Sequence, residues 1–267
     1  MTAYMASIAE KPSHQRRQDA WKAMKAFWER TDPDLIDGRM CEDYAAQRKA
    51  GPATIRYELL QISTALGWGR KYKHIDAKPE MWLPPTEGRK VRHLTHAQFE
   101  KFYSEVKAPH ARLYVLLGLY TMARPSAILD LTWDRVDFDR ELIDLNPPGR
   151  RQTAKRRPVV RMNAELKEAL EEAYAARQCE YVVERGAKKV ANIKKAFQAA
   201  SERSVLHVTP YTLRHTGAVW AAEAGITMPA LAQFMGHDDS TTTEKHYARF
   251  SPDYLANVAN AVQRRTK

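Results

Sequence analysis

Tyr211-Thr-Leu-Arg214-His215, followed by Gly236-His237 and then by His246-Tyr247, is the stretch around which the rest of this chain is organised. It holds an arginine, several histidines and a tyrosine within the last quarter of the sequence. An arginine fork binds an oxyanion, a histidine moves or accepts a proton, and a tyrosine can be a nucleophile. A set of this kind calls for further cations upstream. Arg124, at the end of an apolar helix, and Lys155, on a basic hairpin, meet that demand.

Charge says what the oxyanion belongs to. The chain has 267 residues and a formal net charge of +11, a surplus that favours a polyanionic partner. Its length allows one or two domains with a sizeable core. No apolar run approaches the ~20 residues that span a bilayer, and no signal pattern opens the chain. Cys41 and Cys179 stand alone, without a CxxC, as inert thiols of a reducing compartment do. The expected location is cytoplasmic or, in a bacterium, nucleoid-associated.

Residues 1–14 show no sustained periodicity and are expected to form a mobile tail. Residues 15–76 read as a small all-helical domain. Trp21, Met24 and Trp28 mark a first helix, Leu35 to Tyr44 a second, and Ile55, Leu59, Ile62 and Leu66 a third. Arg56, Arg70 and Lys71 give it a basic side. Residues 77–92 are punctuated by Pro79, Pro84, Pro85 and Gly88 and end on Arg89, Lys90 and Arg92. That is a linker composition, suited to tracking a DNA backbone or to solvated connection alike.

The second domain, residues 93–267, opens at Thr95, an N-cap with Gln98 as its capping-box partner. A buried helix through Leu113, Leu116, Leu117 and Tyr120 must end before Pro125, which starts the next helix, Ser126 to Leu131. Arg124 therefore sits at a helix junction. Trp133–Phe138, Leu142–Leu145 and Pro158–Met162 read as three short strands. Arg150, Arg151, Lys155, Arg156 and Arg157 lie between the last two of them, a DNA contact or a solvated turn. Residues 163–200 read as helical. Leu213, Gly217, Trp220 and Ala224 stripe one face of the following helix, with Arg214 and His215 beside the stripe. Gly236 closes a short helix, Ser240 caps the one that carries Tyr247, and Leu255 to Val262 forms the last. The fold class is mainly α with a small three-stranded antiparallel sheet.

The chemistry follows from a tyrosine attacking a DNA phosphodiester. The transition state gathers negative charge on the phosphoryl oxygens. Arg124 and Arg214 clamp the two non-bridging oxygens with forks that never deprotonate. Lys155 protonates the leaving 5′-oxygen. His237 hydrogen-bonds the phosphate or the attacking oxygen. Tyr247 is the nucleophile, and a covalent phosphotyrosine conserves the bond energy, so no cofactor is required. Each residue alone is ordinary. The order Arg, Lys, Tyr-x-x-Arg-His, Gly-His, Tyr, with Tyr247 ten residues after His237, is specific.

On these residues, the segment from Leu94 to Leu255 resembles the catalytic domain of the tyrosine recombinases, the phage-integrase family, and residues 15–76 resemble the helical core-binding, SAM-like domain that precedes it. The resemblance implies a C-shaped clamp of two domains on duplex DNA. It also implies site-specific cleavage and rejoining through a 3′-phosphotyrosine and a Holliday junction, and a tetramer on synapsed DNA that is monomeric in free solution. A DNA-bending accessory protein and a directionality factor are the partners it would add, and the last helix would dock on a neighbouring protomer or in cis. Three positions depart from the family pattern. Tyr211 stands where histidine is usual, and a phenol is a poor base at neutral pH, so His215 or water would remove the proton. Ala127 replaces an acid, with Asp130 as the nearest substitute. The segment before residue 15 is too short for an arm-binding domain.

Other readings compete. A decayed, binding-only homologue would explain Tyr211 and Ala127, yet Arg124, Arg214 and Tyr247 remain. A type IB topoisomerase-like enzyme would share the chemistry without a specific site. A metal hydrolase built on His207, His215, His237 and His246 has no paired ligand spacing to support it, and the expected metal is none.

Overall fold

The computed structural model describes residues 1–85, 91–150 and 155–261, apart from the side chains of residues 257, 260 and 261. The chain divides into two compact units, Met1–Arg89 and Lys90–Lys267. Arg89, Lys90 and Arg151 of the expected DNA contacts lie outside the described residues.

The first unit is helical throughout: α1 (Thr2–Ser7), α2 (His14–Trp28), a 3-10 turn at Pro33–Leu35, α3 (Gly38–Gln47) and α4 (Pro52–Lys71). Met24, Trp28, Cys41, Tyr44, Ile55, Leu59 and Ile62 form its core. The expected mobile tail is corrected here. Residues 2–7 are a helix, and Tyr4 and Ile8 are buried. Tyr4 sets its ring 6.0 Å from that of Trp68 on α4. One i, i+4 pair is too brief to register as a period, but it suffices to cover that edge. Met81, Trp82 and Leu83, inside the expected linker, also pack on this core.

Among the described residues of this unit, one charged group is buried. Glu58 is 2% exposed and accepts Tyr44 Oη at 2.5 Å and Arg48 Nη2 at 2.9 Å. A carboxylate taken out of water this far requires its partners, because an unpaired buried charge is costly. Arg48→Met should therefore destabilise the protein by about 3 kcal/mol, read as a lower urea midpoint at unchanged slope, with Glu58→Gln in the same background recovering part of the loss.

The second unit runs α5 (His96–Ser104), α6 (Pro109–Tyr120), α7 (Pro125–Leu129), β1 (Val136–Asp137), β2 (Leu142–Asp144), β3 (Val159–Arg161), α8 (Ala164–Ala175), α9 (Lys194–Ser204), α10 (Pro210–Glu223), α11 (Met228–Met235), α12 (Thr241–Tyr247) and α13 (Ala256–Ala261). The Thr95–Gln98 capping box is formed. The strands make an antiparallel sheet in the order β1-β2-β3, with Ile143 opposite both Val136 and Val160. Trp133–Arg135, expected as strand, is a 3-10 turn. Residues 163–200 are not one helical stretch. After α8 the chain turns inward, burying Val182 and Val183. Val182 N–H donates to Leu131 C=O at 3.0 Å, and Trp133 N–H donates to Glu180 C=O at 2.9 Å. A β-branched pair flanked by charge prefers this extended, half-paired course to a helix.

The helix crossing that positions everything else is α6 on α10. A Cβ on Gly118 would lie 2.9 Å from Leu213 Cδ1, and one on Gly217 would lie 2.4 Å from the Leu119 carbonyl. The two glycines let the backbones approach and hold the end of α6 against the middle of α10. Arg124 follows the first helix and Arg214 rides on the second.

Candidate active site

Helix α10 begins with a Thr209–Thr212 capping box and Pro210 in its first turn, which fixes where Arg214 points. Arg214 was expected beside the apolar stripe. It is instead 5% exposed. Its Nη1 donates to the Met122 carbonyl just past α6. Its Nη2 donates to the Met235 carbonyl at 3.0 Å and meets His237 Nε2 at 2.9 Å.

Arg124, the N-cap of α7, reaches the same place from the other side. Its Nη1 donates to the Arg156 carbonyl at 2.7 Å, and both terminal nitrogens approach the Gly236 carbonyl at 3.4 and 3.5 Å. The two guanidiniums thus rest on consecutive carbonyls, Met235 and Gly236, at the C-terminal end of α11. That is the negative end of a helix, where a cation is favoured. Gly236 is left-handed at φ +68°, and a Cβ there would meet the Arg156 carbonyl and Pro158 Cδ at 2.7 Å each. Only glycine permits this approach of the hairpin.

An arginine nitrogen only donates, so His237 Nε2 is the acceptor and the ring proton is on Nδ1. Nδ1 meets Thr243 Oγ1 at 2.8 Å. Thr243 is fully buried on α12, and Tyr247 is four residues on, on the same face. Tyr247 is 2% exposed, and its Oη stands 2.6 Å from His215 Nδ1. One short helix therefore braces His237 with one side chain and offers a phenol to His215 with the next.

The electrostatics describe a site with surplus positive charge. Burial pulls the Arg214 guanidinium down to about 10, and Arg124 adds to the shift. Arg124 is lowered by burial, with Arg150 and Arg157 contributing. Burial, then Arg214, lowers both His215 and His237 to about 4, so both rings are neutral at pH 7. Burial raises Tyr247 to about 12, against the pull of Arg214. An anion entering between the arginines would raise the lowered arginine and histidine values again and would push the Tyr247 phenol further up, so the phenol must lose its proton to a neighbouring base as it attacks.

Arg124, Arg214, His215, His237 and Tyr247 are thus brought together. Tyr211 is 54% exposed in the first turn of α10, close enough to act on the charge of Arg124 and Arg214. Lys155 is exposed, one residue before the carbonyl that Arg124 holds. The basic hairpin is engaged with its own chain. Arg150 donates to Asn146 Oδ1 at 3.3 Å and to the Lys155 carbonyl at 3.1 Å. Arg156 pairs with Asp238 at 2.5 Å, and Arg157 pairs with Asp130 at 2.9 Å. Of the other expected DNA contacts, Arg56 donates to the Pro84 carbonyl at 2.9 Å, while Arg70, Lys71 and Arg92 are exposed. Asp130 meets Arg157 and Lys189. Thr243 and Asp238 carried no signal in the sequence: a threonine in a Thr-rich helix start and an acid after a helix are common. Among the described residues no three His, Cys, Asp or Glu side chains stand together as a metal site.

Comparison with known proteins bears on the family and the fold. The model of the phage integrase family matches residues 92–253. A tyrosine recombinase XerA from Saccharolobus solfataricus is 22% identical over 213 residues, 78% of this chain and 67% of that protein. The Tn1549 transposon integrase, solved in complex with a circular intermediate DNA, superposes with a TM-score of 0.79 at 17% identity, over 97% of this chain and 98% of that one. A lambda integrase tetramer bound to a Holliday junction gives 0.73 at 16% identity, over 100% of this chain and 78% of that one. At such identities the structures show the common fold, and the family model spans more than half of the chain. The chain belongs to the phage integrase family of tyrosine recombinases.

Proposed function

We propose that this site-specific DNA recombinase works through Tyr247, with Arg124 and Arg214 holding the scissile phosphate. The observation that carries the reading is the Tyr247 phenol, buried, 2.6 Å from a histidine nitrogen and on the helix that braces His237 against Arg214. Tyr247 Oη bonds to phosphorus as the bond from phosphorus to the 5′-oxygen breaks. The phenolic proton passes to neutral His215 Nδ1, so the missing histidine at Tyr211 is not needed as a base. Lys155 gives the 5′-oxygen its proton. The product is a 3′-phosphotyrosine and a free 5′-hydroxyl, which can be replaced by the 5′-hydroxyl of another duplex. Strand exchange in two such steps passes through a Holliday junction on a tetramer.

Duplex DNA is the partner. The core-binding unit, residues 15–76, and the catalytic unit, residues 93–267, would grip it together across the basic 77–92 segment. A bending protein and a directionality factor would act with it on the nucleoid of a bacterial host. No described helix is long and apolar enough to cross a membrane.

The test is a suicide substrate: duplex DNA with the host element's attachment core, nicked so that the cleaved end diffuses away. The chain should form a covalent adduct in the presence of EDTA, on this core and not on scrambled DNA. Well-folded protein that binds the core and forms no adduct would overturn the reading in favour of binding alone. Equal cleavage of both DNAs would point to a relaxing enzyme.

A further inference from the structure

The hairpin bearing Lys155 and the helix bearing Arg124 hold each other by two crossed contacts. Arg124 Nη1 donates to the Arg156 carbonyl on the hairpin at 2.7 Å. In return, Arg157 on the hairpin reaches back over α7. Its Nη2 donates to Asp130 Oδ2 at 2.9 Å, at the C-cap of that helix, and to Ser126 Oγ at 3.3 Å, in its first turn. Asp130 is itself fixed by Lys189 Nζ at 2.7 Å on its other oxygen.

Arg157 does not behave as a DNA-facing arginine. Its side chain is only 11% exposed, and it lines the recess beside Arg124, Arg214, Ala127 and Phe234. Its Nη1 is buried and meets no acceptor among the described residues. A buried cation with an unused donor is retained against a cost. Exposed ion pairs contribute little, but this one is withdrawn from solvent on the arginine side and grips both ends of a five-residue helix.

We propose that Arg157, anchored on Asp130 and Ser126, is a positioning residue that sets Lys155 on the hairpin against the phosphate held by Arg124. The inference rests on the recombinase reading above and concerns one step of it, protonation of the leaving oxygen. Lys155 lies two residues before Arg157, ahead of the Pro158 carbonyl that accepts Leu145 N–H at 3.2 Å and of Val159, the first ladder residue of β3. Arg150 on the Lys155 carbonyl and Asp238 on Arg156 hold the same segment, and the Arg157 clamp with the Arg124–Arg156 contact ties it to α7.

The experiment compares ordinary suicide DNA with DNA in which sulfur replaces the bridging 5′-oxygen. A thiol ionises near neutrality, so a sulfur leaving group needs no proton. Arg157→Met should slow single-turnover adduct formation on ordinary DNA by about 10²-fold, the scale of a small misplacement of a reacting group. On the sulfur-containing DNA it should run close to the unaltered chain, as Lys155→Met should. Asp130→Asn, which keeps an oxygen for Arg157, should give a smaller loss with the same rescue. A loss that is equal on both DNAs, or no loss at all, overturns the inference, and so does a Lys155→Met variant that sulfur fails to rescue. An unaltered chain that makes no adduct on either DNA is a different result: it defeats the recombinase reading itself, and this inference with it. Lys189 still holds Asp130 in Arg157→Met, so α7 keeps one of its anchors, and a thermal melt checks that the variant is folded.

Discussion

Tyr247→Phe should bind core DNA as the unaltered chain does and form no covalent adduct, a loss on the order of 10⁶-fold, as removal of an enzyme's nucleophile produces. The substitution removes one oxygen. The ring stays, packed with Ala218, Val219, Ala222, Leu231 and Met235, so the fold loses only the hydrogen bond to His215, roughly 1 kcal/mol. Binding should be unchanged because one phenol contributes no charge to it, and counterion release makes affinity depend on the cations that meet phosphates. The check is a denaturing gel of labelled suicide DNA beside a binding titration at fixed salt. An adduct that persists in Tyr247→Phe would assign the nucleophile elsewhere, with exposed Tyr211 the next residue to change. Activity should be kept at neutral pH and lost in acid near pH 4, where His215 and His237 both take a proton, and a His215→Gln variant that loses cleavage at neutral pH while still binding the core would assign receipt of the phenolic proton to that ring.

What could be read from the sequence was what repeats or what punctuates. The helix through Ile55, Leu59, Ile62 and Leu66, the Thr95 capping box, the stop at Pro125 and the Gly236 closure all have local causes, and the structure has them. The residue types of the candidate site were singled out because the proposed chemistry prescribes them and their order is rare by chance, and the structure brings Arg124, Arg214, His215, His237 and Tyr247 together. Three things were not legible. The α1 helix sets a single ring, Tyr4, against Trp68, which no period reveals. Residues 176–193 give up helix for contacts with Leu131 and Trp133, a preference set by distant partners. The burial of Arg214 depends on the crossing of α6 and α10, where two glycines far apart in sequence remove two side chains. Helical spacing on α10 alone puts Arg214 at the margin of the apolar face, and only α6 and α11 enclose it.

Arg214→Lys should lower single-turnover cleavage by about 10³-fold while changing DNA affinity little, since one removed donor of an oxyanion clamp costs on the order of 3–4 kcal/mol in the transition state. A lysine keeps the charge but has no fork. It cannot serve the Met122 and Met235 carbonyls and His237 Nε2 together, nor present a planar pair of donors to a phosphate. Arg214→Gln removes the charge as well and supplies a readout independent of activity. Arg214 is the second cause, after burial, of the lowered values of both His215 and His237. In Arg214→Gln both imidazoles should therefore titrate above about 4, though burial still holds them below an ordinary histidine. Ring-proton NMR across pH 3 to 7 reads this directly. Unmoved midpoints with activity lost would mean that Arg214 acts through the fold of α10 and α11 alone. Midpoints that rise together would show one buried guanidinium setting the protonation of both rings, keeping His237 an acceptor and His215 free to take the proton of Tyr247.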